Sequence, residues 1–204
     1  MGGTRPATGG KTPRGSVPER LLDAATRLFA ERGFEGTSVQ QVVTAAGVTK
    51  GAMYHYFGSK DDLLYEVYAR VLRMQTEHLV EISSRDASVS ERVHAAAADV
   101  IVTTVANLDD STIFFRSMHQ LAPEKQLSVR AERRKYHELF RSMIEQGQRE
   151  GVFRDDVPAD LIVDYYFGSV HHLSTWYRHE GALTGKDVGR YFADLLLAGL
   201  RPQE

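Results

Sequence analysis

From residue 16 onward, apolar side chains return every three or four positions, with polar runs and helix-stopping residues between them. Leu21, Leu22, Ala25, Leu28 and Phe29 fall on one face of a first helix, opened by Ser16, Pro18 and Glu19 as a capping box and ended by Gly33. Thr37 and Gln40 form a second capping-box pattern. It precedes a short helix whose Val39, Val42 and Val43 make the inner face and whose stop is Gly47. Thr49 opens a third helix that runs through Phe57. Ser59 opens a fourth, with Asp61 and Asp62 in the first turn, where carboxylates meet the positive end of the helix dipole. That helix continues to about Ile82. Five more helices are predicted near 88–107, 110–121, 124–149, 158–179 and 185–200. Their breaks are marked by Asp109-Asp110, Pro123, Gly151 with Pro158, and Gly181 to Gly185. No stretch alternates with the period of a strand, so the pattern predicts an all-α fold of about nine helices.

Composition narrows the class. At 204 residues and 42% hydrophobic, the chain can bury a sizeable core. Residues 1–15, with Arg5, Lys11 and Arg14 among glycines and prolines, have almost nothing apolar to bury and read as a disordered basic arm. The chain has no cysteine, which excludes disulfides and thiolate chemistry. The apolar run Leu195 to Ala198 is too short to cross a bilayer, and a cytoplasmic location is expected. The net charge of −2 hides an asymmetry: residues 1–60 hold eight Lys and Arg against four Asp and Glu, the remainder 17 against 23. A basic front on an acidic body suits an N-terminus that faces nucleic acid.

The second and third helices, joined by Ala45-Ala46-Gly47-Val48-Thr49, have the layout of a helix-turn-helix, whose second helix enters the DNA major groove. In that helix Lys50, Tyr54 and His55 can point outward while Val48 and Phe57 suit the inside. Lys50 and Lys60 supply charge for phosphates, and Tyr54 and His55 supply polar tips on rigid rings. Gly51 costs helix stability relative to alanine, and close backbone approach to DNA is one reason to keep it. Plainer roles exist for each: Tyr54 and Tyr56 as core aromatics, Thr37 and Thr49 as caps only, Lys60 as a solvated charge. The combined pattern of Ala24-Ala25, Leu28-Phe29, Gly33-Phe34, Gly36-Thr37, Ala45 to Gly51, Tyr54 to Phe57, Ser59-Lys60 and Leu63 resembles the N-terminal domain of the TetR family of bacterial repressors. The resemblance covers roughly residues 18–66, and departs from the usual Ile-Ala at Val42-Val43, positions that concern packing. It implies that Thr37, Thr49, Lys50, Gly51, Tyr54, His55 and Lys60 occupy phosphate-contacting and groove-facing positions.

The same resemblance implies a ligand pocket in the following bundle and a dimer interface built from the last two helices. Domains are accordingly expected at 16–62 for DNA binding and 63–204 for ligand binding and dimerisation. Helix 158–179 is apolar around much of its girth, with Leu161, Ile162, Tyr165, Tyr166, Phe167, Val170, Leu173 and Trp176, and Val188, Tyr191, Phe192, Leu195 and Leu196 stripe the last helix. Phe114, Phe115, Met118, His119, Tyr136, Phe140, Met143, Tyr166, His171 and Trp176 are pocket candidates, each with core packing as its plainer role. Arg130, Arg133, Arg134, Lys135 and Arg141 make either a solvated helix face or a phosphate-binding one. The stretch from Trp176 to Leu200 resembles a subgroup in which acyl-CoA ligands are common, so the expected effector is a largely apolar molecule with acyl-CoA as the candidate. Gly168-Ser169-Val170-His171 lacks the closing glycine and strand context of a nucleophile elbow, which argues against an enzyme. His171-His172 are adjacent and no two histidines are four apart on one helix, so a metal-sensing regulator remains only the alternative, and no cofactor is called for.

Overall fold

The computed structural model describes residues 15–202, without the side chains of Phe114 and Phe115. The basic-arm residues Arg5, Lys11 and Arg14 therefore lie outside the described residues. The order is α1 (Val17–Arg32), α2 (Val39–Ala46), α3 (Lys50–Phe57), α4 (Lys60–Ser83), α5 (Val89–Ala106), α6 (Leu108–Ser117), a 3₁₀ turn (Met118–Gln120), α7 (Pro123–Arg149), α8 (Ala159–His171), the one-turn α9 (Leu173–Trp176) and α10 (Gly185–Gly199). No strand occurs among the described residues.

Local chemistry sets most of these boundaries. Ser16 and Glu19 cap α1 reciprocally, Thr49 caps α3 through the Ala52 N–H, and Ser59 caps α4 through the Asp62 N–H. The box at α2 lies one residue later than the pattern suggests. Ser38 Oγ accepts from Gln41 N (3.2 Å), and Gln41 Oε1 accepts from Ser38 N (2.7 Å). Thr37 is occupied elsewhere, as described below.

Two further differences concern the body. Asn107 ends α5, so Asp109 and Asp110 sit in the first turn of α6 and favour its dipole instead of breaking the chain. The helix predicted over 158–179 stops at His171. The run Ser169, His171, His172, Ser174, Thr175 is poor in helix formers, and the Thr175 hydroxyl turns back onto the His172 carbonyl (2.7 Å). Arg178 then donates to the Tyr177 carbonyl at 2.8 Å, and Tyr177 leaves in an extended conformation to bury its ring.

Two hydrophobic cores result. One gathers Leu21, Ala25, Phe29, Val42, Val43 and Met53 from α1–α3 with Leu63, Leu64 and Val67 of α4. Ile113 of α6, Leu121 after the 3₁₀ turn and Val129 of α7 complete it, so the body supplies part of the N-terminal core. The other joins Leu72, Leu79 and Ile82 of α4 to the inner faces of α5, α7, α8 and α10. α4 runs through both, and α10 lies along α5 with Gly189 against the Ala98 carbonyl, where a Cβ would come within 2.8 Å.

A partly buried polar knot ties α1, α4 and α6 together. Arg70 of α4 donates to Asp110 of α6 through Nε (3.2 Å) and Nη2 (2.9 Å), to Thr26 of α1 (3.3 Å) and to Asp23 of α1 (3.3 Å). Burial holds the Asp110 carboxyl above the usual carboxylate range, against the pull of Arg70, so the guanidinium is what keeps the charge tolerable there. Lys125 at the start of α7 pairs with Asp62 at the start of α4. Asp110→Ala should lower the unfolding free energy by about 2–3 kcal/mol in urea titrations, because it leaves a half-buried guanidinium with the Thr26 hydroxyl and, as its carboxylate, only the exposed Asp23. A loss below about 0.5 kcal/mol would show that the knot adds nothing to the fold.

Candidate DNA-reading face and effector cavity

The turn between α2 and α3 is made by Gly47, at φ 64° and ψ 39°, a left-handed conformation that a side chain resists. Its N–H and that of Val48 close onto the Val43 and Thr44 carbonyls, fixing the angle at which α3 leaves. Met53 is fully buried and pins α3 to the N-terminal core. The opposite face is bare: Thr49, Lys50, Gly51, Tyr54, His55 and Tyr56 are all exposed, as are Gln40 and Thr44 at the adjoining edge of α2.

The expected DNA contacts divide into two groups. Lys50, Tyr54 and His55 reach outward, and the exposed His55 ring packs edge-to-face with Tyr56 at 5.0 Å. Thr49 caps α3 with its oxygen and keeps its hydroxyl proton available. Gly51 has open space around it: a methyl group placed on its Cα would meet nothing nearer than Thr49 Oγ1, at 3.9 Å. Nothing inside the chain demands a glycine there.

Thr37 and Lys60 are different: the assignment of Thr37 as a DNA-facing side chain needs correction, and the half-buried Lys60 is engaged with the chain's own carbonyls. Thr37 is 1% exposed, and its hydroxyl lies 2.8 Å from the Gly33 carbonyl and 3.2 Å from that of Leu28, so it satisfies the end of α1. The Lys60 ammonium donates to the Phe34 carbonyl (2.9 Å) and the Thr37 carbonyl (3.1 Å), and lies 4.1 Å above the Phe34 ring. Both residues brace the loop behind the reading face. Tyr56, a core candidate by sequence, is half exposed on the same helix and joins the reading face instead.

In the body, a cavity of about 50 Å³ lies between α4, α5, α7 and α8, lined by Tyr68, Leu72, Gln75, Thr104, Arg133, Tyr136, His137, Phe167 and His171 among others. It has room for a few waters, well short of the several hundred Å³ that enclose a metabolite, so a larger guest must part these helices. A basic groove of about 520 Å³ adjoins it over Arg130, Arg133, Arg134 and Arg141.

Of the expected pocket residues, Tyr136 and His171 line this cavity. Phe140 and Tyr166 stack on each other at 5.8 Å in the core behind it, the Tyr166 hydroxyl donating to the Ala97 carbonyl at 2.6 Å, so both are packing residues. Met118 packs against the N-terminal core and His119 lies on the 3₁₀ turn, both away from the cavity. Trp176 is exposed and stacks on Phe192 of α10 at 6.3 Å, on the outer surface. The side chain of Phe115 lies outside those described. Tyr68, Gln75, Thr104 and His137 are cavity residues that the sequence did not single out.

The polar chemistry of the cavity is specific. Gln75 donates to the hydroxyls of Thr103 (2.9 Å) and Thr104 (3.2 Å). Burial pushes the Tyr68 hydroxyl up to about 12, keeping it neutral. Arg133 Nη2 donates to His171 Nε2 (2.9 Å), which puts the imidazole proton on Nδ1. Burial and the Arg133 charge push His171 down to about 3 and lower His137, whose ring stacks on Phe167 at 4.2 Å. No group of three His, Cys, Asp or Glu side chains among the described residues could hold a metal ion. No helix among them is long and apolar enough to cross a membrane.

A glycine-turned helix pair, braced from behind and presenting Lys50, Tyr54 and His55 to solvent on a helical body, is the architecture of a helix-turn-helix transcriptional regulator. Residues 21–67 match the model of the bacterial regulatory proteins of the tetR family, and residues 86–200 that of the tetracyclin repressor-like C-terminal domain. The chain belongs to the TetR family, a family of DNA-binding transcriptional regulators and not of enzymes. It is 29% identical over 199 residues to the HTH-type transcriptional repressor KstR2 of Rhodococcus jostii, covering 95% of this chain and 94% of the relative. Among solved structures it resembles the TetR-family regulator PfmR from Thermus thermophilus, at 29% identity and TM-score 0.81 over 89% of this chain and 99% of the other. It shares the fold of AibR, crystallised with isovaleryl coenzyme A and operator DNA, at 23% identity and TM-score 0.76 over 93% and 100% of the two chains.

Two outcomes are expected. Gly51→Ala should raise stability by about 0.5–1 kcal/mol through helix propensity and weaken DNA binding several-fold. Urea unfolding and fluorescence anisotropy on selected DNA read the two effects, and undiminished DNA affinity would remove the close-approach explanation. His171 resists protonation in the fold but not in the unfolded chain, so its contribution is complete above about pH 6.5 and is lost as pH falls toward about 3. Between pH 7 and pH 5.5 the wild type should lose about 1 kcal/mol that His171→Gln does not lose, measured by urea unfolding at both pH values; equal losses would contradict the assignment.

Proposed function

We propose that the protein is a homodimeric repressor that holds a palindromic operator through two α3 helices and releases it when an effector enters the cavity between α4, α5, α7 and α8. The observation that carries this reading is the double role of α4. Its first turns, Leu63, Leu64 and Val67, belong to the core of the DNA-reading unit, and the next turns, Tyr68, Leu72 and Gln75, wall the cavity. A guest that parts α4 from α7 must act on the helix that carries the reading head. α6 is engaged as well, since Ser111 lines the cavity beside Asp110 of the polar knot. An effector that favours one state over the other by about 1–3 kcal/mol would change DNA affinity 5- to 150-fold.

The dimer is supported by exposed apolar residues that no core claims. Leu161 and Tyr165 (74% exposed) lie one turn apart on α8, Tyr191 and Leu195 (71% exposed) one turn apart on α10, and Trp176 spans toward α10 through Phe192. Packing these stripes against their two-fold copies would make an intersubunit four-helix bundle and place the two α3 helices on successive major grooves, about 34–36 Å apart. For the effector, acyl-CoA thioesters fit the chemistry: an apolar acyl chain for the cavity and phosphates for Arg130, Arg134 and the rest of the adjoining groove. AibR, with its isovaleryl coenzyme A, is a relative in fold whose ligand has this form.

Operator sequences should first be selected from random duplex DNA, then challenged with octanoyl-CoA. The reading expects a palindromic consensus, affinity that falls steeply with salt, and release on addition of the thioester. Failure to enrich any sequence would contradict the DNA-reading assignment, and an unmoved complex would remove acyl-CoA. Leu161→Glu with Leu195→Glu should give a monomer by light scattering with its helical content intact; a persistent dimer would place the interface elsewhere.

A further inference from the structure

The cavity and the basic groove meet at Arg133. This residue of α7 lines both, as does His137 one turn further along. Among the described residues that line the inner cavity, Arg133 is the only one with a permanent charge; the others are apolar, hydroxyl, amide or imidazole groups, and no carboxylate is among them. The carboxylates nearby, Glu138, Asp160 and Asp164, stand on the groove side, where Asp160 is already bonded to Arg141 at 3.0 Å. His171 of α8 receives a hydrogen bond from Arg133 and so orients the guanidinium at the mouth of the cavity. His137 and His171 both resist protonation, which leaves the arginine as the source of positive charge. A half-buried guanidinium facing an apolar chamber attracts a negative group far more strongly than one in bulk water would.

We propose that Arg133 seats an anionic group of the effector at this junction, so that the site selects amphipathic anions, with an apolar body in the cavity and a carboxylate or phosphate on the guanidinium. This rests on the effector reading above and extends it from shape to charge. A neutral molecule of the same length gains the apolar contacts but adds nothing to those that Arg133 already makes.

Isothermal titration of the full-length protein with octanoate, octyl phosphate and octan-1-ol tests it. Both anions should bind at least ten-fold more tightly than the alcohol, and whichever anion binds better identifies the head group as carboxylate or phosphate. Arg133→Met should abolish the preference, Arg133→Lys should retain part of it, and Arg149→Met, at the exposed end of α7 and lining neither cavity nor groove, should leave it intact. Octan-1-ol binding as tightly as the anions to the wild type, a preference surviving in Arg133→Met, or no binding by any of the three would each overturn the proposal. The wild-type comparison decides even if a variant fails to fold. Binding of unliganded protein to selected DNA, measured in the same samples, separates the two readings. If it is lost, the regulator assignment fails; if it is intact without a charge preference, only the role of Arg133 fails.

Discussion

The structure depends on α4 being one continuous helix that serves two hydrophobic cores. From Lys60 to Ser83 it is unbroken, so displacement of its cavity-lining turns must be absorbed by bending or passed on to the reading head. The N-terminal end of α4 is tied to the reading head by polar contacts. Lys60 fastens the start of α4 to the loop carbonyls of Phe34 and Thr37, and Thr37 in turn ties that loop to the end of α1. The small size of the three-helix head is offset because Ile113, Leu121 and Val129 of the body complete its core.

Polar ties supply the direction that apolar packing lacks. Hydrophobic contact is tolerant of sliding, whereas the Arg70–Asp110–Thr26 knot joins α1, α4 and α6 at defined distances, and Lys125–Asp62 joins α7 to α4. The cavity opens beside the first of these ties, where its lining residues Val71 and Ser111 adjoin Arg70 and Asp110. At about 50 Å³ it is filled by little more than its own side chains, so occupancy by a larger guest has to be accompanied by movement of α4 or α7. Only an effector with different affinity for the two arrangements can bias them, and the charge of Arg133 is the feature of the cavity best suited to provide that difference.

The outline of the fold was legible because it rests on local rules. Ser16, Thr49 and Ser59 announce their helices, Gly47 announces the turn, and the spacing of Leu21, Ala25, Leu28 and Phe29 announces an inner face. What stayed hidden depends on distant neighbours. Thr37 carries the signature of a cap or a phosphate contact, but whether its hydroxyl meets solvent or the carbonyls of Leu28 and Gly33 is decided by how α1 ends. Apolar periodicity continues across His172, so nothing in it marks the break between α8 and α9. The pocket was the least legible part. Phe140, Tyr166 and Trp176 are as aromatic as Tyr68 and Tyr136, and only the packing of four helices decides which line the cavity, which fill the core and which face out. The family pattern over Ala45 to Gly51 and Tyr54 to Phe57 carried the reading head, whereas Gln75 and His137 belong to no recognisable pattern.

Filling the cavity is expected to move the reading heads of the proposed dimer, and an intersubunit distance reads that movement. The chain has no cysteine, so Glu31→Cys, exposed on α1, accepts a single spin label per protomer. Double electron–electron resonance on the DNA-bound dimer, and again after saturation with octanoyl-CoA, should give a narrow distance distribution that shifts by several Å or broadens as DNA is released. An unchanged distribution with the thioester bound and the DNA released would contradict the account, because the heads would then have let go without moving.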